Sequence, residues 1–368
     1  MTRLAVDLAT PADDAAIRKL LRTEPMPGRI QLTYEREPSF WTGCEVTGED
    51  CRVLIARHEE DGDIVGLACR STRNVFVNGL ERRIGYLGQL RVDRRYRGRW
   101  LVSRGFVKLR ELHESDPLPA YLASIIDGNT EATGVLVTKR RRGFPEFRAI
   151  ADFRTLAIGV HRKKNAIRGD ISVAAVNAGD LTDAVRFLNA QGPRRQFFSK
   201  WTEANLARLS SYGLTGGDIR VARRAGQMLG IAGLWDQSSY KQTVVQGYSG
   251  WMKIAAPLYN RAAPWLGRAT LPRPGEKLKG AYVSLISIAD DDRNVFATLL
   301  RELYNLAHCR GLSYILVGLD ARDPLLTVAS KYAHVVYPSR LHLAEWSDGG
   351  RIDEQLDGRP VYVDIATL

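Results

Sequence analysis

The stretch Leu90-Arg91-Val92-Asp93-Arg94-Arg95-Tyr96-Arg97-Gly98-Arg99-Trp100-Leu101-Val102-Ser103 constrains this chain more than any other part of it. It reads as an apolar strand end, a short cationic loop and the start of an apolar helix. A helix start presents unpaired backbone N–H groups and about half a positive charge, so it attracts anions. Most helices answer that field with Asp or Glu in the first turn. Here Arg97, Arg99 and Arg104 take those places. Such a start repels itself by roughly a few tenths of a kcal/mol per exposed charge, unless an outside anion supplies the missing negative charge. A diphosphate would do so.

The order apolar-x-Val, Arg95-x-x-Gly98-x-x and apolar helix resembles motif A of the GCN5-related N-acetyltransferases. In that family the loop wraps the pyrophosphate of acetyl-coenzyme A with backbone amides. The resemblance implies that acetyl-CoA is held here by Leu90, Arg91, Val92, Arg97, Gly98, Arg99, Trp100 and Leu101. Three positions depart from the family pattern. Arg94 stands where Pro is common, Trp100 where Gly or Ala is usual, and Val102 where a second Gly often sits. Asn129 opens the helix after a strand at 120–126, where the family often has an Asn that touches the pantetheine arm. As a helix N-cap it needs no such role, and one residue can do both.

At 368 residues the chain is too long for one typical domain, and two is the natural expectation. With 45% hydrophobic and 26% charged residues it can bury substantial cores. The net charge of +12 favours anionic partners: a nucleotide cofactor, an acidic substrate or nucleic acid. Nucleic acid rests on that charge alone. The cluster Lys139-Arg140-Arg141-Arg142 before Gly143 reads better as a helix C-terminus. No apolar run reaches membrane-spanning length, and Met1 to Asp7 carry no signal-peptide stretch. Cys44, Cys51, Cys69 and Cys309 show no paired metal or redox spacing, so they read as reduced thiols of a cytoplasmic protein, with no metal expected.

The first half reads as a strand at 4–8, a helix carrying Ile17, Leu20 and Leu21, and a further helical stretch before Phe40-Trp41. Strands follow at 52–56, 64–71 and 75–77. The Asn78-Gly79 hairpin signal then returns the chain into a strand at 84–92. Helix 101–114, a strand at 120–126, a helix from Asn129 to about Arg142 and strands within 147–160 complete it. That order resembles the acetyltransferase fold. After His161-Arg162-Lys163-Lys164-Asn165 the pattern restarts. Tyr282-x-x-x-Ile286-x-Ile288 copies Tyr86-x-x-x-Leu90-x-Val92, and Tyr314-Ile315-Leu316 matches Tyr121-Leu122-Ala123. The expected fold is therefore α/β (α+β): two tandem acetyltransferase-like domains, each a mixed, mostly antiparallel sheet flanked by helices. The expected bounds are 1–165 and 166–368. In the second copy Asp290-Asp291-Asp292-Arg293-Asn294 replaces the Arg–Gly loop, and three carboxylates there would repel a diphosphate. Only the first copy is expected to bind cofactor.

Acyl transfer to an amine needs removal of an ammonium proton and protonation of the departing thiolate. Family members often supply the acid from a Tyr on the helix after Asn129, and 130–138 contains none. For the base, Asp127 is the nearest carboxylate to the expected splay between the central strands; a loop Asp bonding its own turn is the alternative. Gln89 cannot act as a base but could orient substrate. Residues 237–280 form an insertion rich in large apolar groups, read either as a lid over the first copy's acceptor site or as a packing surface. The resemblance implies a cytoplasmic acyl-CoA-dependent N-acyltransferase, N-acetyl transfer first, acting on an amine of a small molecule or polypeptide. The alternatives are a non-catalytic acyl-CoA sensor and an aminoacyl transferase of the tandem peptide-ligase type.

Overall fold

The computed structural model describes residues 4–25, 30–98, 100–138, 143–262, 265 and 271–368. The first half supplies β1 (Leu4–Leu8), β2 (Ile30–Glu35), β3 (Glu49–His58), β4 (Ile64–Val77), β5 (Leu80–Val92), β6 (Tyr121–Ile126) and β7 (Glu146–Gly159). Its helices are α1 (Asp14–Thr23), α2 (Phe40–Thr47), α3 (Leu101–Ser115) and the short α4 (Thr130–Thr133), which continues as a π-helical turn to Thr138. The second half supplies β8 (Ser172–Ala175), β9 (Ile219–Arg224), β10 (Gln227–Trp235), β11 (Gln242–Tyr248), β12 (Gly280–Ile288), β13 (Tyr314–Asp320) and β14 (His334–Glu345). Its longer helices are α5 (Leu181–Gln191), α6 (Glu203–Arg208), α7 (Met252–Ala262) and α8 (Arg293–Cys309).

One sheet runs through the molecule in the order β1-β3-β4-β5-β6-β14-β7-β13-β12-β10-β9-β8. Matched as β1, β3, β4, β5, β6 against β8, β9, β10, β12, β13, the order reads alike from both ends. The two centre strands are exchanged. β7, from the first half, pairs with β13, and β14, from the second, pairs with β6. The sheet is thus continuous across residue 165. Two parallel steps occur at equivalent places, Gly85–Leu87 against Tyr121–Ala123 and Gly280–Tyr282 against Tyr314–Leu316. Glycine opens each because the facing Tyr ring lies there: a Cβ on Gly85 would sit 2.1 Å from Tyr121, and one on Gly280 2.2 Å from Tyr314.

Local chemistry places the elements around that sheet. Asn78 and Gly79 both take positive φ, which suits the tight turn joining β4 and β5. The expected strands at 64–71 and 75–77 are one strand, and so are those within 147–160. Phe40-Trp41 begins α2 rather than following a helix, with Ser39 accepting from the Trp41 amide as N-cap. α8 buries Val295, Leu299, Leu300 and Leu303 against the second half of the sheet. The insertion does not pack within its own half alone. β11 pairs with β2 of the first half, from Gln242↔Glu35 to Tyr248↔Ile30, as a separate two-stranded sheet. Pro257 lies inside α7 rather than breaking it.

Candidate functional site

Beyond Leu87 and Ala123, β5 and β6 part. β5 also slips against β4 there: Leu67 pairs with Arg91 but Cys69 pairs with Gly88, so Gln89 and Leu90 face the single residue Ala68. Gln89 takes φ +56, a left-handed conformation. An extra residue of this kind bends a strand and turns its amides out of the ladder. The bulge opens onto a cavity of about 880 Å³, within the size range of small-molecule and cofactor sites. Gln89 reaches into its wall, and its side-chain oxygen is buried without a hydrogen-bond partner among the described residues.

Of the sequence-predicted cofactor residues, Leu90, Arg91, Val92, Leu101 and Asn129 line this cavity. Asn129 also caps α4, its Oδ1 accepting from the Ala132 amide at 3.0 Å. Arg97, Gly98 and Trp100 lie outside the lining, and Arg99 and 139–142 fall outside the described residues. The start of α3 keeps its anion-seeking character: Trp100 is the N-cap at φ 60 with no side-chain cap, and the first turn holds no acid. Its arginines, however, are not waiting for an outside anion. Arg97 pairs with Glu24 and Glu131, each at 2.8 Å, and Arg95 pairs with Asp93 at 2.7 Å. Carboxylates distant in sequence answer much of the charge that the sequence leaves open. The backbone amides remain as the feature suited to a diphosphate.

The equivalent place in the second half is closed. β12 bulges against β10 at the same step, with Leu285 at φ +56 as Gln89 is in β5. Its freed amides are taken by the chain's own C-terminal segment. Leu285 N–H donates to Asp364 at 2.9 Å, and Ile286 N–H donates to the Tyr362 hydroxyl at 2.9 Å. The space left is about 10 Å³, room for a water molecule at most. Asp292 caps α8 through the Asn294 and Val295 amides, while Asp290 and Asp291 pair with Arg194 and Arg195.

Past the bulge, the large cavity continues between the halves. The insertion closes over it: Tyr259, Leu271 and residues 276–279 line it, together with Lys241 and Thr243. From the first half come Tyr34, Arg36 and Tyr86, and from the second-half sheet Tyr282 and Tyr314. Lys241 donates to the Leu368 carbonyl oxygen at 2.9 Å, with its ammonium 4.8 Å from the centre of the Tyr282 ring. Burial first, and then the nearby Arg36 charge, hold its pKa well below the usual lysine range. Burial also pushes the Tyr34 phenol up, so that hydroxyl stays protonated. Asp127 does not join them. It is exposed in the turn after β6, its amide bonded to the Pro338 carbonyl, and it is not part of the lining. Neither Lys241 nor Arg36 sits in a local motif, so no sequence signal pointed to them.

The cysteines are closer than their spacing suggests. The sulfurs of Cys44 on α2, Cys51 on β3 and Cys69 on β4 lie within 4.8 Å of one another, while Cys309 is exposed.

No protein-family model and no curated protein matches this chain. Solved structures do. One is the GCN5-related glucosamine N-acetyltransferase region of a fungal multi-domain GH3 β-N-acetylglucosaminidase, at 14% identity and TM-score 0.60, covering 93% of this chain and 38% of that one. Another is a GCN5-related N-acetyltransferase from Sphaerobacter thermophilus, at 15% identity and TM-score 0.56, covering 99% and 98%. A third is Saccharomyces cerevisiae N-myristoyltransferase with bound myristoyl-CoA, at 8% identity and TM-score 0.65, covering 99% and 86%. The chain shares the fold of these structures. Among the described residues no helix is long and apolar enough to cross a membrane.

Proposed function

We propose that this chain transfers an acyl group, acetyl in the first instance, from acyl-coenzyme A to an amine. One site performs it, opening from the β5 bulge of the first half and completed by residues of the second. Residues 166–368 are a second copy of the fold whose own site has closed. The observation that carries this reading is the contrast between two equivalent bulges. One opens onto about 880 Å³ and the other is filled by Tyr362 and Asp364. The buried, unpartnered Gln89 oxygen and the two residues outside the β4–β5 ladder suit a ligand rich in amide groups. The uncapped start of α3 suits its diphosphate.

Acyl-coenzyme A supplies the activated thioester. In the transfer, the amine lone pair forms the C–N bond, the C–S bond breaks, and the sulfur leaves with its electron pair. The proton given up by nitrogen balances the thiol released. Lys241, uncharged more readily than an exposed lysine, is suited to take that proton. Asp127 is exposed and outside the lining, and we assign it to its turn. The insertion lines the acceptor end.

The test is thiol release from acetyl-CoA across an amine panel, with calorimetry for cofactor stoichiometry. One equivalent of coenzyme A per chain and amine-dependent thiol release are expected. Lys241→Met should lower turnover by about 10²-fold or more, whereas Asp127→Asn should stay near wild type. Binding without thiol release for any amine would make the protein a sensor rather than a transferase. Two sites of comparable affinity would refute the closed second copy.

A further inference from the structure

Arg36 follows β2 and is only 3% exposed, yet among the described residues no carboxylate, carbonyl or hydroxyl accepts from its guanidinium. That is unusual. A guanidinium carries five donors and cannot shed its charge, so burying one without a partner is costly. The fold has nonetheless made room for it. A Cβ on Gly43 of α2 would lie 1.7 Å from Arg36 Nη1, so only glycine at 43 admits the group. A chain that merely tolerated a stray arginine would gain by letting it reach solvent.

The direction in which Arg36 is free is the cavity, whose wall it forms. Its charge favours the ionised forms of the Cys44 and Cys51 thiols, and the other charged groups around it do not pair with it. Lys241 is close enough for the two cations to disfavour one another. Asp364, the buried carboxylate on this side, is committed to Ser284, Leu285 and Ala366. Glu276 is the one acidic side chain among the described lining residues, against Arg36, Arg91, Lys241, Lys277 and Lys279; Lys241 also donates to Leu368. Arg36 also lies near Tyr86, Tyr282 and Arg91, and close to Lys241, the group suited to take the acceptor's proton.

We infer that the acceptor amine carries a carboxylate, which Arg36 binds through its planar, two-pronged donor face. This inference rests on the acyl-transfer reading and narrows it to amino-acid-like acceptors. A carboxylate matches a guanidinium in shape and charge, and in a buried site the pair discriminates strongly against a neutral isostere. With the carboxylate on Arg36, the amine of a short acceptor comes within the region that Lys241 faces. An aromatic or aliphatic acceptor side chain would meet Tyr34, Tyr282 and the insertion.

The experiment compares the L-amino acids with their carboxamides as acceptors, in wild type, Arg36→Met and Arg36→Lys. Wild type should show a KM at least tenfold lower for an acid than for its amide. Arg36→Met should abolish that preference by raising the acid's KM to the level of the amide's, while calorimetric affinity for acetyl-CoA persists. Arg36→Lys should restore part of the preference. Arg36→Met should also melt no lower than wild type, because it removes an unpaired buried charge; a structural arginine would lose stability. Equal use of acids and amides by wild type would overturn the inference, as would an equal rise of both KM values in Arg36→Met. Should no amine of either kind release thiol, acyl transfer itself fails, and thermal shift then decides the anion site. Amino acids that stabilise wild type but not Arg36→Met would uphold the site, and no shift in wild type would overturn it.

Discussion

Removing one oxygen atom, by Tyr362→Phe, tests why only one half of this molecule presents an open bulge. The Tyr362 hydroxyl accepts the Ile286 amide at 2.9 Å, and the residue is buried at 5% exposure. The phenyl ring of the variant keeps its packing on Phe198, whose ring centre lies 5.2 Å away, so no apolar contact is lost. What is lost is the acceptor, and the Ile286 amide is left buried beside a void of only about 10 Å³. An amide stranded in this way costs about 1–3 kcal/mol, more than the net value of an ordinary hydrogen bond. Asp364 still holds the neighbouring Leu285 amide, so the strand should stay in place. Urea unfolding should show a midpoint lowered to match that cost, with an unchanged slope. Coenzyme A should still bind once per chain. A variant as stable as wild type would mean that the hydroxyl does not satisfy the second bulge, and the account of its closure would fall.

Two further outcomes follow from particular residues. Gly98 sits at φ +76 with no atom within 4 Å of a would-be Cβ, so Gly98→Ala should bring only backbone strain of about 1–2 kcal/mol. Gly98→Asp adds a charge beside the start of α3 and should abolish acetyl-CoA binding in calorimetry; unchanged affinity would remove the diphosphate from this loop. Glu345 is buried, and burial together with the neighbouring Asp353 carboxyl pushes its pKa from 4.5 up to about 7, while that of Asp353 is lowered. A raised folded-state pKa gives stability that is complete below about pH 4.5 and lost as pH rises through about 7. For Glu345 alone that amounts to about 3 kcal/mol, and Asp353 offsets part of it. Glu345→Gln keeps an oxygen for the Ile352 amide and cannot ionise, so it should flatten the change in urea midpoint between pH 5 and pH 8. Parallel curves for variant and wild type would refute the assignment.

What the sequence made legible was local. Asn78-Gly79 names its own turn, the apolar spacing of α3 and α8 names two helices, and Asp292 caps α8 as an acidic residue at a helix start should. The parallel spacing after Tyr86 and Tyr282 also survived, because both segments answer the same constraint: a strand that must bulge beside a diverging neighbour. The exchange of β7 and β14 was not legible. A strand's alternation of buried and exposed residues specifies which face it buries, not which edge accepts it. The pairing of β2 with β11 crosses some two hundred residues for the same reason, and with it went the knowledge of what covers the cavity.

Electrostatics shows the limit most clearly, because charge acts across space and the sequence records only neighbours along the chain. The arginines of the 94–97 loop read as an unmet demand for an anion, yet Glu24 and Glu131 meet it from other elements. Arg36 stands between Glu35 and Glu37 in the chain. In the fold Glu37 turns to Arg18 and Arg22, and Glu35 to Thr33. Arg36 is left facing the cavity. The arginine flanked by two acids in sequence is the one without a partner among the described residues, and the loop that looked most exposed in charge is the one whose described arginines are paired. A reading of this site by charge runs alone would therefore look for the acceptor's carboxylate at the wrong arginine, and substitution of Arg36 and of Arg97 side by side separates the two. Loss of acceptor discrimination is expected from Arg36→Met, and loss of the Glu24 and Glu131 pairs with little effect on that discrimination is expected from Arg97→Met.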